Sequence, residues 1–215
     1  AIHYFPRLGS TNDEAASRAD AGAPDGSLVL AGEQVAGRGR LGRRWFTPAG
    51  AALALSLILR PEQAEEDRPE ATGLYTALGA LALADVLEEQ GLKPEIKWPN
   101  DVLLSRRKTA GILVEAQWMG SRLGAIILGI GVNLSPASVP PPSETLYPAT
   151  CVEAELGRPV DRLAFLRALL GRILARRSGL GSPAFLEDWN RRLAFKGEWV
   201  RLVGSDEGLE VGQVV

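Results

Sequence analysis

The stretch Lys108–Val132, KTAGILVEAQWMGSRLGAIILGIGV, decides how the rest of the chain is read. Its two apolar runs, Lys108–Trp118 and Arg122–Val132, flank Met119-Gly120-Ser121, and a tight turn there predicts an antiparallel strand pair. Gly111 interrupts the first run, and Gly129 and Gly131 interrupt the end of the second. A glycine inside a strand marks either a bulge or a close approach by a ligand or another backbone. Gaps on paired strands, with Lys108 and Asn133 beside them, describe a slot where a ring system lies against the sheet.

Outward from this pair, Ile2–Leu8, Ser27–Gln34, Glu95–Trp98 and Val102–Ser105 read as strands. Ala51–Arg60 reads as a buried strand, although its Ala and Leu suit a helix equally. Glu14–Ala21 follows the capping residues Ser10–Asp13 and predicts a helix. Glu70–Gln90 predicts a longer one, with Leu74, Leu78, Leu81, Val86 and Leu87 on its apolar face and Gly91 as its stop. Asp161 caps another, with Leu163, Leu166, Leu170, Ile173 and Leu174 on one face, and Ser182–Arg192 makes the last. Val35–Gly50 and the proline-rich Ser135–Pro148 read as loops. Glu198–Val203 and Leu209–Val215 read as two short strands of a small terminal module. The class is α+β: a mixed, largely antiparallel sheet flanked by helices.

Composition removes several chemistries. The 215 residues suit one compact domain plus at most a small second one. Lys and Arg number 24 against 26 Asp and Glu, a net charge of −2, so nucleic-acid binding would need a local patch. Cys151 is the only thiol, which excludes an internal disulfide and suits a reducing cytoplasm. His3 is the only histidine and sits at the edge of the chain, which argues against a Ser-His-Asp hydrolase. No uninterrupted apolar run reaches the roughly 18 residues of a membrane span, and the cytoplasm is the expected location.

The local patch exists. Residues 35–61 contain Arg38, Arg40, Arg43, Arg44 and Arg60 and no acidic residue. Gly37-Arg38-Gly39-Arg40-Leu41-Gly42 matches the dinucleotide pattern G-x-G-x-x-G, but no helix start follows it. Guanidinium groups and glycine-exposed backbone N–H groups suit a phosphate or carboxylate instead. Such a loop either orders on a ligand or stays a solvated basic segment. Lys97-Trp98-Pro99-Asn100-Asp101 ends a strand in a sharp turn, either an ordinary one or one that holds Lys97 and Asp101 beside a ligand.

Ser10-Thr11-Asn12, Gln34, GRGRLGRRW at 37–45, KWPND at 97–101, Lys108 with GILVE at 111–115, and GIGVN at 129–133 occur in that order. Together they closely resemble the biotin protein ligases, over roughly residues 3–200. The resemblance implies the class II synthetase-like catalytic fold over 1–195 and the start of an SH3-like module over 196–215. It implies ATP, Mg2+ and biotin as ligands and a biotin carboxyl carrier protein of acetyl-CoA carboxylase as partner. In this family biotin is activated to biotinyl-5′-AMP and then transferred to a carrier lysine.

By resemblance, Ser10, Thr11, Asn12 and Gln34 belong to the site for biotin. Gly37, Arg38 and Arg40 belong to the loop that closes over biotin and phosphate, and Arg43 and Trp45 lie near triphosphate and adenine. Lys108 contacts the reacting carboxylate and the α-phosphate; with Arg40 it is the catalytic expectation. Gly111, Gly129 and Gly131 form the floor under biotin, and Asn133 contacts the nucleotide. Asn100 and Asp101 lie beside the nucleotide, Asp101 next to its metal.

Bifunctional members carry an N-terminal DNA-binding domain; with Ser10 this early, a form without that domain and without DNA binding is expected. Gly212–Val215 stops partway through the SH3-like pattern, so an incomplete or short module is expected. A lipoate–protein ligase shares the fold and the adenylate chemistry and is the alternative enzyme. A nucleic-acid module built on the arginine loop is the alternative from another class. Whether the Leu, Ala and Val surfaces are core or the edge of a homodimer stays open, because periodicity does not separate the two.

Overall fold

The structure, a computed structural model, describes residues 1–61, 71–120, 122–203 and 209–214. Seven strands form one mixed sheet: β1 (Ile2–Phe5), β2 (Ser27–Ala31), β3 (Ala52–Leu59), β4 (Pro94–Lys97), β5 (Asp101–Leu104), β6 (Arg107–Met119) and β7 (Arg122–Asn133). Their order across the sheet is β1-β2-β3-β7-β6-β5-β4; the β1–β2 pair is parallel and every other pair is antiparallel. The helices are α1 (Thr11–Asp20), α2 (Ala71–Glu89), α3 (Val152–Leu156), α4 (Arg162–Arg177) and α5 (Pro183–Arg192). A separate two-stranded sheet, β8 (Trp199–Val203) and β9 (Leu209–Gln213), follows.

All eight residues of β3 are buried, because helices cover both faces of the sheet there. Leu53, Leu55, Leu57 and Leu59 face the main core with α2, α4 and α5, while Ile58 packs with Ala15, Ala19, Val29, Ala125 and Ile127 under α1. The ambiguous Ala–Leu run is thereby resolved as a central strand.

Helix α2 departs from the one-faced pattern. Leu78, Ala80 to Ala84, Val86 and Leu87 are all buried, so nearly its whole circumference is covered. Its small residues permit this: a Cβ on Gly79 would lie 3.1 Å from Leu128 Cδ1, so helix and sheet are in close contact. Helix α4 corrects the expected face. Phe165, Leu166, Leu169 and Ile173 are buried, whereas Leu163 and Leu174 are 72% and 61% exposed. The sequence pattern offered two overlapping stripes, and the position of α2 selects one. Asp161 caps α4 through Leu163 N and Ala164 N as expected.

Arg176 and Arg192 tie the helices together. Arg176 bonds Asp85 of α2 at 2.5 Å and Asp188 of α5 at 2.6 Å; Arg192 pairs with Asp188, Asp85 and Glu88. The bonds to Glu88 and Asp188 hold the buried Arg192 guanidinium firmly charged.

The short α3 has no signal in the sequence reading. Glu70 and Val215, expected in an element, lie outside the described residues. The strand at Ser27–Gln34 stops at Ala31, and the one at Ile2–Leu8 stops at Phe5. Among the described residues no helix is long and apolar enough to cross a membrane.

Candidate active site

Strand alternation builds the floor of a cleft. On the α1 face of the sheet, cross-strand pairs shrink along β3 and β7: Ile58 with Ile127, then Ser56 with Gly129, then Ala54 with Gly131. Beside them Gly111 pairs directly with Gly131, and Leu113 with Gly129. The large pair lies under α1, the Ser56–Gly129 pair lies against its first turn at Thr11 and Asn12, and Gly131 lies against Trp45. The glycine gaps are regular ladder positions; the register shifts fall elsewhere, at Val102/Leu103 and Gln117/Trp118.

The chain's own side chains fill these gaps. A Cβ on Gly129 would stand 2.0 Å from Asn12 Oδ1, and one on Gly131 2.3 Å from Trp45 Nε1. A Cβ on Gly111 would stand 3.2 Å from Trp45 Cζ3. The Trp45 ring therefore lies on the Gly111–Gly131 pair, beside the Asn12 amide.

Around Asn12 a polar network is closed and buried. Thr11 N and Oγ1 both donate to Gln34 Oε1, at 2.8 and 3.1 Å. Gln34 Nε2 donates to Thr47 Oγ1 at 3.1 Å. Ser56 Oγ reaches Asn12 Oδ1 at 2.6 Å and Thr11 Oγ1 at 2.8 Å. Asn12 Nδ2 donates to Leu113 O at 3.3 Å and to Glu115 Oε2 at 2.6 Å. Asn12 thus spends both polar ends within the protein. Ser10 differs: it occupies the N-cap position, lines the cleft and makes no capping bond with its side chain.

The arginine loop is a small hairpin. Trp45 N donates to Gly37 O at 2.8 Å, and Gly39 N to Arg43 O at 2.7 Å. Gly37 is needed at that crossing, since a Cβ there would lie 2.5 Å from Trp45 O. Arg38 is anchored: its guanidinium forks onto Glu115 at 2.9 and 2.7 Å and also reaches Asp13 at 2.7 Å. The Glu115 bonds outweigh partial burial and raise the Arg38 pKa above its usual value. Arg40 and Arg43, at the tip, are exposed, and their guanidinium groups have no hydrogen bond or ion pair among the described residues.

At the far side of Trp45, Lys108 Nζ sits 5.4 Å from the indole centroid and 2.6 Å from Asp101 Oδ1. Asn100 clips its turn to β6 twice: its carbonyl accepts from Ile112 N, and its Nδ2 donates to Ile112 O, each at 2.9 Å. Asn133 Nδ2 donates to Thr150 O at 3.1 Å. Lys97 stands over the Tyr147 ring instead, at 5.3 Å.

A cleft of about 1430 Å3 runs from Ser10, Asn12 and Gln34 past Trp45 and Lys108 to Leu146, Tyr147, Trp199 and Arg201, whereas Gly37, Thr47, Ser56 and Glu115 do not line it. Single small-ligand pockets span roughly 300–1,000 Å3, so this cleft has room for more than one ligand. Among the described residues no three His, Cys, Asp or Glu side chains cluster as a metal site. The sequence reading missed Thr47, Ser56 and Glu115. Ser56 carried a signal, a lone hydroxyl within the apolar run ALALSLILR, whereas Thr47 and Glu115 become meaningful only through partners distant in sequence.

The profile of the biotin/lipoate A/B protein ligase family matches residues 4–133, more than half of the chain. The chain belongs to this family. Within it, the chain is 40% identical over 203 residues to the biotin–[acetyl-CoA-carboxylase] ligase of Paracoccus denitrificans, covering 89% of this chain and 80% of that one. It is 38% identical over 168 residues to the bifunctional ligase/repressor BirA of Bacillus subtilis, covering 78% of this chain; that alignment spans about half the length of the relative, 50%. Among solved structures, the biotin protein ligase from Aquifex aeolicus in complex with biotin and ATP superposes with a TM-score of 0.81 at 27% identity, covering 100% of this chain and 86% of that one.

Proposed function

We propose that the protein is a biotin protein ligase, and the observation that carries this is the position of Lys108. Its ammonium stands between the Trp45-covered glycine floor and the Asp101–Asn133 end of one continuous cleft. Reading the floor end as the biotin site and the far end as the ATP site puts the cation where a biotin carboxylate and an α-phosphate would meet. The biotin carboxylate oxygen attacks the α-phosphorus, pyrophosphate leaves, and biotinyl-5′-AMP forms. The amine of a carrier lysine then attacks the acyl carbon, AMP leaves, and the amine loses a proton to give the amide. Neither step needs a protein nucleophile; both need positive charge and orientation.

Roles follow from the contacts. Ser10, whose hydroxyl makes no capping bond, and the second N–H of Gln34 Nε2 recognise the polar ring of biotin, while Thr11 holds the Gln34 amide in place. Asn12 shapes that pocket rather than bonding the ligand, because its amide is spent on Ser56, Leu113 and Glu115. Gly111, Gly129 and Gly131 admit the Trp45 and Asn12 side chains that line it, which moves Trp45 from the nucleotide side to the boundary between the sites. Gly37 and Arg38 anchor the loop, and Arg40 and Arg43 supply charge to carboxylate and phosphates. Asn100 and Asn133 support the nucleotide. Asp101 is the carboxylate that would hold a magnesium ion brought in with ATP, since Mg2+ bound through phosphates asks for only one or two carboxylates. When bound, the ion would supply positive charge to the phosphates.

We assign residues 1–195 to the catalytic unit and 196–215 to a small module, on the strength of the separate β8–β9 sheet. The carrier is a biotin carboxyl carrier protein of acetyl-CoA carboxylase, following the name of the Paracoccus relative, and the cytoplasm is the compartment that holds it. That relative also favours biotin over lipoate. ATP–pyrophosphate exchange with biotin, with lipoate and with neither tests the reading. Exchange that requires biotin is expected; exchange supported by lipoate alone would move the protein to the sister activity.

A further inference from the structure

Glu155, on α3, has no part in the chemistry above, yet three donors from two segments converge on its nearly buried carboxylate, 9% exposed. Thr150 Oγ1 and Ser105 Oγ donate to it at 2.7 Å each, and Arg107 NH2 at 2.6 Å. Burial alone would raise the Glu155 pKa; these bonds outweigh it and hold the carboxyl below its ordinary value.

The donors surround Lys108. Thr150 N donates to Lys108 O at 2.9 Å and Lys108 N donates to Pro148 O at 2.8 Å, so the 148–150 segment runs as a strap along the backbone of the cation. The carbonyl of the same Thr150 accepts from Asn133 Nδ2. Thr150 therefore links Glu155 to both. On the other side, Ser105 and Arg106 form the β5–β6 turn with φ of 49° and 59°, left-handed values that neither side chain favours. Glu155 holds the first of these residues, and the Arg106–Glu198 ion pair holds the second.

We propose that Glu155 is a positioning residue for the nucleotide half of the site. Its carboxylate fixes the strap and the turn that flank Lys108, and through the Thr150 carbonyl it aims the Asn133 amide. This rests on the assignment of that half to ATP. The biotin half has no bond to Glu155: its network runs through Gln34, Ser56 and Glu115.

The test is titration calorimetry on the full chain with ATP and, separately, with biotin, for wild type, Glu155→Gln, Thr150→Val, the double variant and Glu153→Gln. Glu153 is on the same helix and accepts from Val160 N, so its variant reports loss of a helix contact alone. Glu155→Gln is expected to weaken ATP about tenfold and to leave biotin within about twofold. Thr150→Val should do the same, the double variant should be no worse than the single ones, and Glu153→Gln should leave ATP affinity unchanged. Equal losses for both ligands, additive effects, or unchanged ATP affinity in Glu155→Gln would overturn the proposal. The two readings fail separately: a wild type that binds ATP without biotin-dependent exchange removes the ligase assignment and leaves the Glu155 comparison intact. A wild type that binds no ATP removes both.

Discussion

Thr11, Asn12, Gln34 and Ser56, each no more than 8% exposed, bond to one another at one end of the cleft. A few residues along the chain, the guanidinium groups of Arg40 and Arg43 face solvent with no partner among the described residues. The difference lies in when order is acquired. A buried amide or hydroxyl without a partner costs about 1–3 kcal/mol, so the first group must satisfy itself during folding. Exposed guanidinium groups carry no such penalty, and their charge remains available to an anion. On the proposed function, one region is a mould set at folding and the other would complete itself around its ligand. Arg38 marks the border, with Glu115 and Asp13 fixing the stem of the hairpin whose tip they leave free.

Variants can break or sharpen this contrast. The largest effect is expected at Lys108, whose charge counts most as the α-phosphate becomes five-coordinate. Lys108→Ala should slow single-turnover adenylate formation by about 100- to 1,000-fold while biotin affinity changes little. Lost affinity with normal turnover would make Lys108 part of the mould. Next, Gly129→Ala drives a methyl into Asn12 and should cost about 1–3 kcal/mol, with thermal unfolding as the readout. Adding Asn12→Ala should recover part of that loss; an additive double variant would mean the two residues do not share one space.

At the tip, Arg40→Ala should speed release of the adenylate about tenfold, the loss of one charge-assisted contact, without lowering the melting temperature. A large drop in melting temperature would show that the tip is structural. The smallest effect concerns pH. Arg192 holds Glu88 below its ordinary value, and at Asp188 the bonds from Arg192 and Arg176 outweigh the upward push of burial. Carboxyls lowered in the folded state contribute stability above their unfolded values and lose it as pH falls through the folded ones. The clamp between α2, α4 and α5 should therefore weaken below about pH 4, read as a falling melting temperature. A melting temperature flat to pH 3 would remove the clamp from the stability of the fold.

The sequence made the sheet and its long helices legible because alternation and capping are local signals: Asp161, Ser182 and the 108–132 strand pair all appear where their neighbours predict them. It misjudged α4, since Leu163 and Leu174 fit the same stripe as Leu166 and only the neighbouring helix chooses between them. The site residues were legible as motifs and much less so as roles. Asn12 and Trp45 read as ligand contacts, yet the glycines that accommodate them lie 66 to 117 residues away, and no local spacing encodes that fit. Glu115 was legible only as the end of the GILVE motif, and Glu155 carried no signal at all, both being hubs whose partners come from separate segments.

Hydrogen exchange measured without ligand and with biotin plus ATP addresses the contrast most directly. Amides at 40–44 should slow by about tenfold or more on binding, while those at Thr11 and Gly129 should already be slow and change little. Protection spread evenly over both regions, or a tip as slow without ligand as with it, would contradict the division between a preformed mould and a loop completed by its anion.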